Sequence, residues 1–205
     1  MPLTAEKLLS TAKRPSSRRT HTRSNSEAAA VAFNTDLEWM AVAYADDVLV
    51  GIVFGHNSKR NAQDSLRRHV RAGRTSELVD FIEIADAPAW VADVAERLKA
   101  YAAGEAVDFR DVAVDERHLT DFGRQIVRAC RRIPRGESRT YGELARTGGS
   151  PGAARAVGQV MARNRYPLVV PCHRVLAAGG LLGGFSAPQG LSMKRRLLAL
   201  EELSG

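Results

Sequence analysis

The sequence predicts an α/β (α+β) protein in two parts: a small N-terminal α/β domain, then a mainly helical C-terminal domain containing a helix-turn-helix. Three observations carry this. Trp39-Met-Ala-Val-Ala-Tyr44 and Val48-Leu-Val-Gly-Ile-Val-Phe54 are β-rich runs separated by Asp46-Asp47, the pattern of a hairpin. Ala62, Leu66 and Val70, and then Trp90, Val91, Val94, Leu98 and Tyr101, recur at helical spacing. Beyond Thr120 helical spacing dominates, with two short helices in quick succession between Thr140 and Arg163.

Length and charge divide the chain further. Its 205 residues carry a net charge of +7, unevenly placed: a basic start, an acidic middle and a strongly arginine-rich end. Residues 1–30 have little to bury between Lys13 and Ser26 and are expected to form a basic, disordered tail. Residues 31–115 are assigned to the N-terminal domain and 116–205 to the C-terminal domain. No apolar run approaches a membrane span, and no signal-like segment follows the first basic residue, so a cytoplasmic or nucleoid-associated protein is expected. The two cysteines, Cys130 and Cys172, have neither disulfide-framework nor zinc-site spacing. The arginine-rich end suits a polyanionic partner, though charge alone fits a solvated surface as well.

Along the N-terminal domain, Leu78 to Ile84 reads as a further strand. Asp86 is the expected cap of the helix that carries Trp90 to Tyr101 inward, with Pro88 in its first turn. His56, His69 and His118 lack metal-ligand spacing and are read as surface residues. In the C-terminal domain, Thr120 caps a helix bearing Phe122, Ile126, Val127 and Cys130. Thr140 and Glu143 form a capping box. Ser150, with Pro151 at the first helical position, is the expected cap of the second helix of the pair. Ala153, Ala154, Ala156 and Gly158 leave that helix nearly bare around Arg155, which suits either tight helix packing or close approach to a partner. Leu191 to Leu203 reads as an amphipathic helix with Leu197, Leu198 and Leu200 inward.

The chemistry centres on Val169-Val-Pro-Cys-His-Arg-Val175. Cys172 and His173 stand together at the end of an apolar run, just after Pro171 and just before a charged arginine. A thiol beside an imidazole has a proton acceptor suited to neutral pH, which makes Cys172 a candidate nucleophile; an inert buried cysteine is the alternative for such a pair taken alone.

Pro171-Cys-His-Arg-Val175, preceded by Arg155-Ala-Val-Gly158 and Asn164 and followed by Gly183-Gly-Phe-Ser186 and Lys194-Arg-Arg-Leu-Leu-Ala-Leu-Glu201, resembles the O6-alkylguanine-DNA alkyltransferases over roughly residues 120 to 203. The resemblance implies a ribonuclease-H-like N-terminal domain and a winged-helix-like C-terminal one. It implies irreversible, stoichiometric transfer of an alkyl group from O6-alkylguanine in double-stranded DNA to Cys172, with O4-alkylthymine as a candidate second lesion, and needs no cofactor or metal. Catalytic roles fall by resemblance on Cys172, His173, Glu201, Tyr141 and Asn164. DNA contacts fall on Arg155, as the finger replacing the extruded base, with Tyr141, Ala153, Ala154, Ala156, Gly158 and Ser150. The guanine pocket falls on Val175, Phe185, Ser186 and Pro171. A monomer is expected, acting singly or clustered along DNA. Arg165, Phe185 and Ala187 depart from the family pattern, where proline, tyrosine and glycine are common, and the loop from Ala187 to Gly190 is about two residues longer than in some members. The competing readings are a non-enzymatic binder of alkylated DNA, a transcriptional regulator, and a cysteine hydrolase using Cys172, His173 and Glu201.

Overall fold

The structure, a computed structural model, describes residues 26–73 and 76–202. Its first strand, β1 (Ser26–Phe33), begins inside the segment expected to be tail; residues 1–25 of that segment lie outside the described residues. β1 pairs antiparallel with β2 (Trp39–Ala45), which pairs antiparallel with β3 (Val48–His56) across the Asp46-Asp47 turn, where Asp46 takes a positive φ of 51°. After helix α1 (Lys59–Gly73), β4 (Ser76–Phe81) returns parallel to β1, giving the order β3-β2-β1-β4.

The two faces of this sheet differ in side-chain size. Ala28, Ala30, Ala32, Ala41, Ala43 and Ala45 form one face and pack with Ala62, Leu66 and Val70 of α1. Val50 and Val53 of β3 complete that face, and the small side chains of β1 and β2 let the helix lie close. The other face, with Val31, Phe33, Met40, Val42, Leu49, Ile52 and Phe54, belongs to the main core. Helix α2 (Ala89–Ala102) joins that core through Val91, Val94, Leu98 and Tyr101. Two expectations are corrected here. β4 stops at Phe81, and Ile84–Asp86 is a 3₁₀ turn. Pro88 occupies the cap position of α2 with no side-chain hydrogen bond, so Asp86 ends the preceding turn instead of starting the helix.

The C-terminal half adds α3 (Asp121–Arg131), the short strand β5 (Arg139–Thr140), α4 (Tyr141–Thr147), α5 (Ala154–Ala162), the strand β6 (Val175–Leu176) and α6 (Gly190–Glu202). Thr120 caps α3 by accepting from Gly123 N at 3.1 Å. The capping box is present at α4: Glu143 N donates to Thr140 Oγ1 at 3.2 Å, and Thr140 N donates to Glu143 Oε2 at 2.7 Å. The start of α5 differs from expectation. Ala153 N donates to Ser150 O at 3.2 Å, and Gly152 has φ 83°, so Ser150-Pro151-Gly152-Ala153 is a type II turn with proline and glycine at its two central positions. The helix therefore begins at Ala154, and Ser150 does not cap it. In α6 the buried residues are Met193, Lys194, Leu197 and Glu201, while Leu198 and Leu200 are only half-buried.

One continuous apolar cluster joins the two halves, running from the sheet through α2 to Ile126, Leu144, Val157, Val170 and Leu197. Backbone also bridges them: Ile52 N donates to Arg165 O at 2.9 Å. Among the described residues no helix is long and apolar enough to cross a membrane, and no group of side chains has the makings of a metal site.

Candidate active site

Between the halves lies a cleft of about 1170 Å³ whose walls include Cys172, Asn164, Tyr141, Arg155, Phe185 and Ser186. Cys172 opens a 3₁₀ turn, Cys172–Arg174, directly after Pro171. It is 9% exposed, enough to reach the cleft and little more. The apolar run leading to it is a tight loop: Val170 N donates to Tyr166 O and Cys172 N to Val170 O, each at 2.7 Å. Leu168, within that loop, has φ 74°, a left-handed conformation costing a bulky residue about 1–3 kcal/mol.

Asn164 holds the loop together. Its Oδ1 accepts from Tyr166 N at 3.0 Å, and its Nδ2 donates both to Val170 O at 2.8 Å and to Cys172 Sγ at 3.1 Å. Burial pushes the Cys172 thiol up from its ordinary value, against the Asn164 bond and the charge of Lys194. The resting sulfur is therefore a thiol.

Behind it, His173 is fully buried, with Nε2 2.8 Å from Glu201 Oε1. Glu201 is anchored by Arg174, whose Nε lies 2.9 Å from Oε2 and Nη2 2.8 Å from Oε1. Tyr101, from α2 in the N-terminal half, donates its hydroxyl to Glu201 Oε1 at 2.7 Å and sits 3.3 Å from His173 Nε2. Burial opposes ionisation of Glu201, but the hydrogen bonds from His173 and Arg174 hold its carboxyl well below the usual range. Burial lowers the His173 imidazole, against the pull of Glu201, so the ring is neutral at rest. The carboxylate holds the proton on Nε2, which leaves Nδ1 as the basic nitrogen; Nδ1 is buried and bonded to no protein group among the described residues.

The cleft wall is built from glycine, aromatics and the end of α5. A Cβ at Gly183 would lie 2.8 Å from Tyr141 Oη, so only glycine allows the tyrosine to lean on this backbone. Phe185 meets Phe54 of β3 edge-on with centroids 6.3 Å apart, and Ser186 Oγ donates to Ala162 O at 3.0 Å. Arg155 is exposed on α5, and among the described residues no carboxylate pairs with it. Ala154 and Gly158 line the same wall, and a Cβ built on Gly158 meets nothing within 4 Å.

The expected residues do not all meet. Val175 and Pro171 are buried and absent from the cleft wall, and Val175 O accepts Lys194 Nζ at 2.6 Å. Ala153, Ala156 and Ser150 lie on or before α5 away from the cleft lining. His56, His69 and His118, read as surface residues, are half-buried and line the cleft because α1 and the segment before α3 close over it. Sequence reasoning missed the roles of Tyr101 and Lys194. The available signal for Tyr101 was its place on the inward stripe of α2, since a buried phenol hydroxyl needs a partner.

The family profile of the 6-O-methylguanine DNA methyltransferase DNA binding domain matches residues 121–203. A methylated-DNA–protein-cysteine methyltransferase of Mycolicibacterium paratuberculosis is 48% identical over 114 residues, 56% of this chain and 67% of the relative. For the corresponding Mycobacterium bovis protein, also 48% identical, the matched stretch is 62% of its length. The namesake from Methanothermobacter thermautotrophicus is 30% identical over 166 residues, 80% of each chain. Among solved structures, Mycobacterium tuberculosis OGT in complex with DNA superposes with TM-score 0.65 at 32% identity, covering 85% of this chain and 93% of that one. O6-methylguanine-DNA methyltransferase from Pyrococcus kodakaraensis gives 0.64 at 25% identity, covering 85% and 98%. With four-fifths of the Methanothermobacter relative aligned along its length, and the thiol and its asparagine facing one cleft with the histidine–carboxylate pair buried behind them, the chain belongs to the methylated-DNA–protein-cysteine methyltransferase family.

Proposed function

We propose that this protein repairs O6-alkylguanine in double-stranded DNA by moving the alkyl group onto Cys172. The observation that carries the reading is the bonded series from Asn164 Nδ2 to Cys172 Sγ at 3.1 Å, beside a neutral His173 whose tautomer is set by Glu201 at 2.8 Å. Only 9% of Cys172 is exposed, at the cleft wall, so a base stacked inside a duplex cannot present its alkyl carbon to the sulfur and must leave the stack. Arg155, standing out from a helix of small residues, is suited to fill the gap in the stack, and docking of α5 in the minor groove would place it there.

The Cys172 proton passes to His173 Nδ1 through a water molecule. The sulfur attacks the alkyl carbon; an S–C bond forms as the C–O6 bond breaks, and guanine departs with the electron pair. Asn164 Nδ2 stabilises the developing thiolate, and Tyr141 Oη donates to the departing base. The proton held by His173 returns to guanine, so atoms and charge balance with no further reactant. Because water does not displace a thioether, each molecule acts once. The same chemistry extends to O4-alkylthymine, whose alkyl carbon also sits on an exocyclic oxygen. We place the work on DNA within the cytoplasm or nucleoid, with the protein acting as a monomer.

The test is the intact mass after incubation with a duplex containing O6-methylguanine. One methyl increment on the Cys172 peptide, saturating at one equivalent and absent in Cys172→Ala, is expected. Tight lesion binding with no mass change would instead identify a non-enzymatic lesion binder, and repeated turnover a hydrolase.

A further inference from the structure

Helix α1 has two unlike sides. Ala62, Leu66 and Val70 pack on the alanine face of the sheet. The outward side carries Arg60, Arg67, Arg68 and Arg71, all exposed, against a single acidic residue, Asp64. Asp64 is shared by Arg60 at 4.0 Å and Arg67 at 3.6 Å; among the described residues Arg68 and Arg71 meet no carboxylate. Like charges gathered on one helix repel, and an external polyanion is what relieves them.

The helix also stands next to the active site. Ser65, His69 and Ala72, along one side of α1, line the cleft that holds Cys172 and Arg155. Arg165 locks this arrangement: its Nη2 donates to the carbonyls of His69 and Val70 at 2.8 and 3.2 Å, while its own carbonyl lies 3.1 Å from His69 Nε2. Arg155 and Arg163 line the cleft at α5, and across it Arg68 and Arg71 directly precede the lining residues His69 and Ala72 on α1, so exposed arginines stand on both sides of it. Fifteen helical residues extend about 22 Å, comparable with roughly six nucleotide steps of one DNA strand.

We infer that α1 is a second docking surface for the damaged duplex, with Arg68 and Arg71 contacting backbone phosphates that flank the lesion while α5 faces the target base. This rests on the reading that Cys172 acts on a base in DNA. It assigns to the N-terminal half a share of DNA affinity that does not depend on base identity, because phosphate contacts position a protein without reading sequence.

The experiment measures binding of undamaged duplex by fluorescence anisotropy over a salt series, for the full chain and for the Arg68→Gln/Arg71→Gln variant. Loss of two phosphate contacts should make the slope of log affinity against log salt shallower by about 1.8, roughly 0.9 for each. Transfer from a free O6-alkylguanine base, which needs no backbone contact, should proceed at the wild-type rate and certifies that the variant is folded. If it does not, the single variants Arg68→Gln and Arg71→Gln carry the test, each with a change of about 0.9. Arg68→Lys/Arg71→Lys should restore the slope. An unchanged slope in a variant competent with the free base overturns the inference, as does intact DNA binding with lost binding to polyglutamate, which would assign α1 to an acidic protein. Failure of wild-type Cys172 to accept any alkyl group is a separate outcome and counts against the parent reading.

Discussion

Replacement of Glu201 by glutamine separates the two jobs of this side chain. The carboxylate is buried and receives donors from His173, Arg174 and Tyr101. Glutamine keeps the shape but removes the charge that balances Arg174, which is itself only 8% exposed. Leaving one member of such a pair unmatched costs about 3–5 kcal/mol, against a total of about 5–15 kcal/mol for a typical domain. With a urea dependence of about 2 kcal/mol per molar, the midpoint should fall by about 2 M. The amide can also present its NH₂ group to His173 Nε2, which would move the ring proton to Nδ1 and occupy the nitrogen proposed to accept the Cys172 proton. Losing a general base in this way costs about 10²- to 10⁴-fold in rate. Single-turnover alkylation of Cys172, followed by mass at a temperature where both proteins are folded, reads the second effect; urea unfolding reads the first. A variant within threefold of wild type in rate and with an unmoved midpoint would refute the assignment of Glu201 as anchor of the imidazole.

Two predictions concern pH. His173 is held below its ordinary 6.5 by burial, so it remains a neutral acceptor throughout the neutral range, while Cys172 is raised above 9.0 by burial; the single-turnover rate should climb from pH 7 towards 9 with no inflection near 6.5, and a fall in rate centred there on acidification would contradict the neutral resting pair. His69 is lowered to about 4, chiefly by burial and then by Arg165. Its folded value is depressed, so the unfolded chain takes up the proton first: this contribution to stability is complete above about pH 6.5, is lost as pH falls towards 4, and then levels off. The interval is worth at most about 3 kcal/mol, and His118, also lowered by burial, acts in the same sense. Urea unfolding at pH 7, 5.5 and 4 should show the loss, and His69→Gln should reduce it, leaving the share of the other histidines lowered by burial; equal slopes in the two proteins would mean that His69 does not titrate as described.

The features readable in the sequence are those decided over a few residues. The Asp46-Asp47 turn, the Thr120 cap and the Thr140–Glu143 box each need only neighbours within three positions, and each is present. β1 was not readable, because alanine is a poor strand former on its own account. Ala28, Ala30 and Ala32 are strand residues because α1 has to lie close on that face, a requirement set thirty and more residues away. Ser150-Pro151-Gly152 is a different case: the same residues suit a helix start or a type II turn, and the positive φ of Gly152 decides for the turn.

The site shows the same division. Cys172 and His173 could be picked out because they are adjacent, and Asn164 and Glu201 because a family pattern places them; nothing local pointed from Tyr101 to Glu201, a hundred positions on. Helix α6 shows why hydrophobic patterning fails at such places. Its inward stripe, Met193, Lys194, Leu197 and Glu201, alternates apolar and charged residues. A reading that sends leucines inward therefore selects Leu198 and Leu200, which are half-buried, and passes over the two charges that are inside. Burying Lys194 on the Val175 carbonyl and Glu201 on His173 and Arg174 sacrifices apolar contact in exchange for a fixed field around the sulfur. Patterning rules describe what stabilises a helix against a core, so the positions where they mislead in α6 are those where the core has been given over to chemistry.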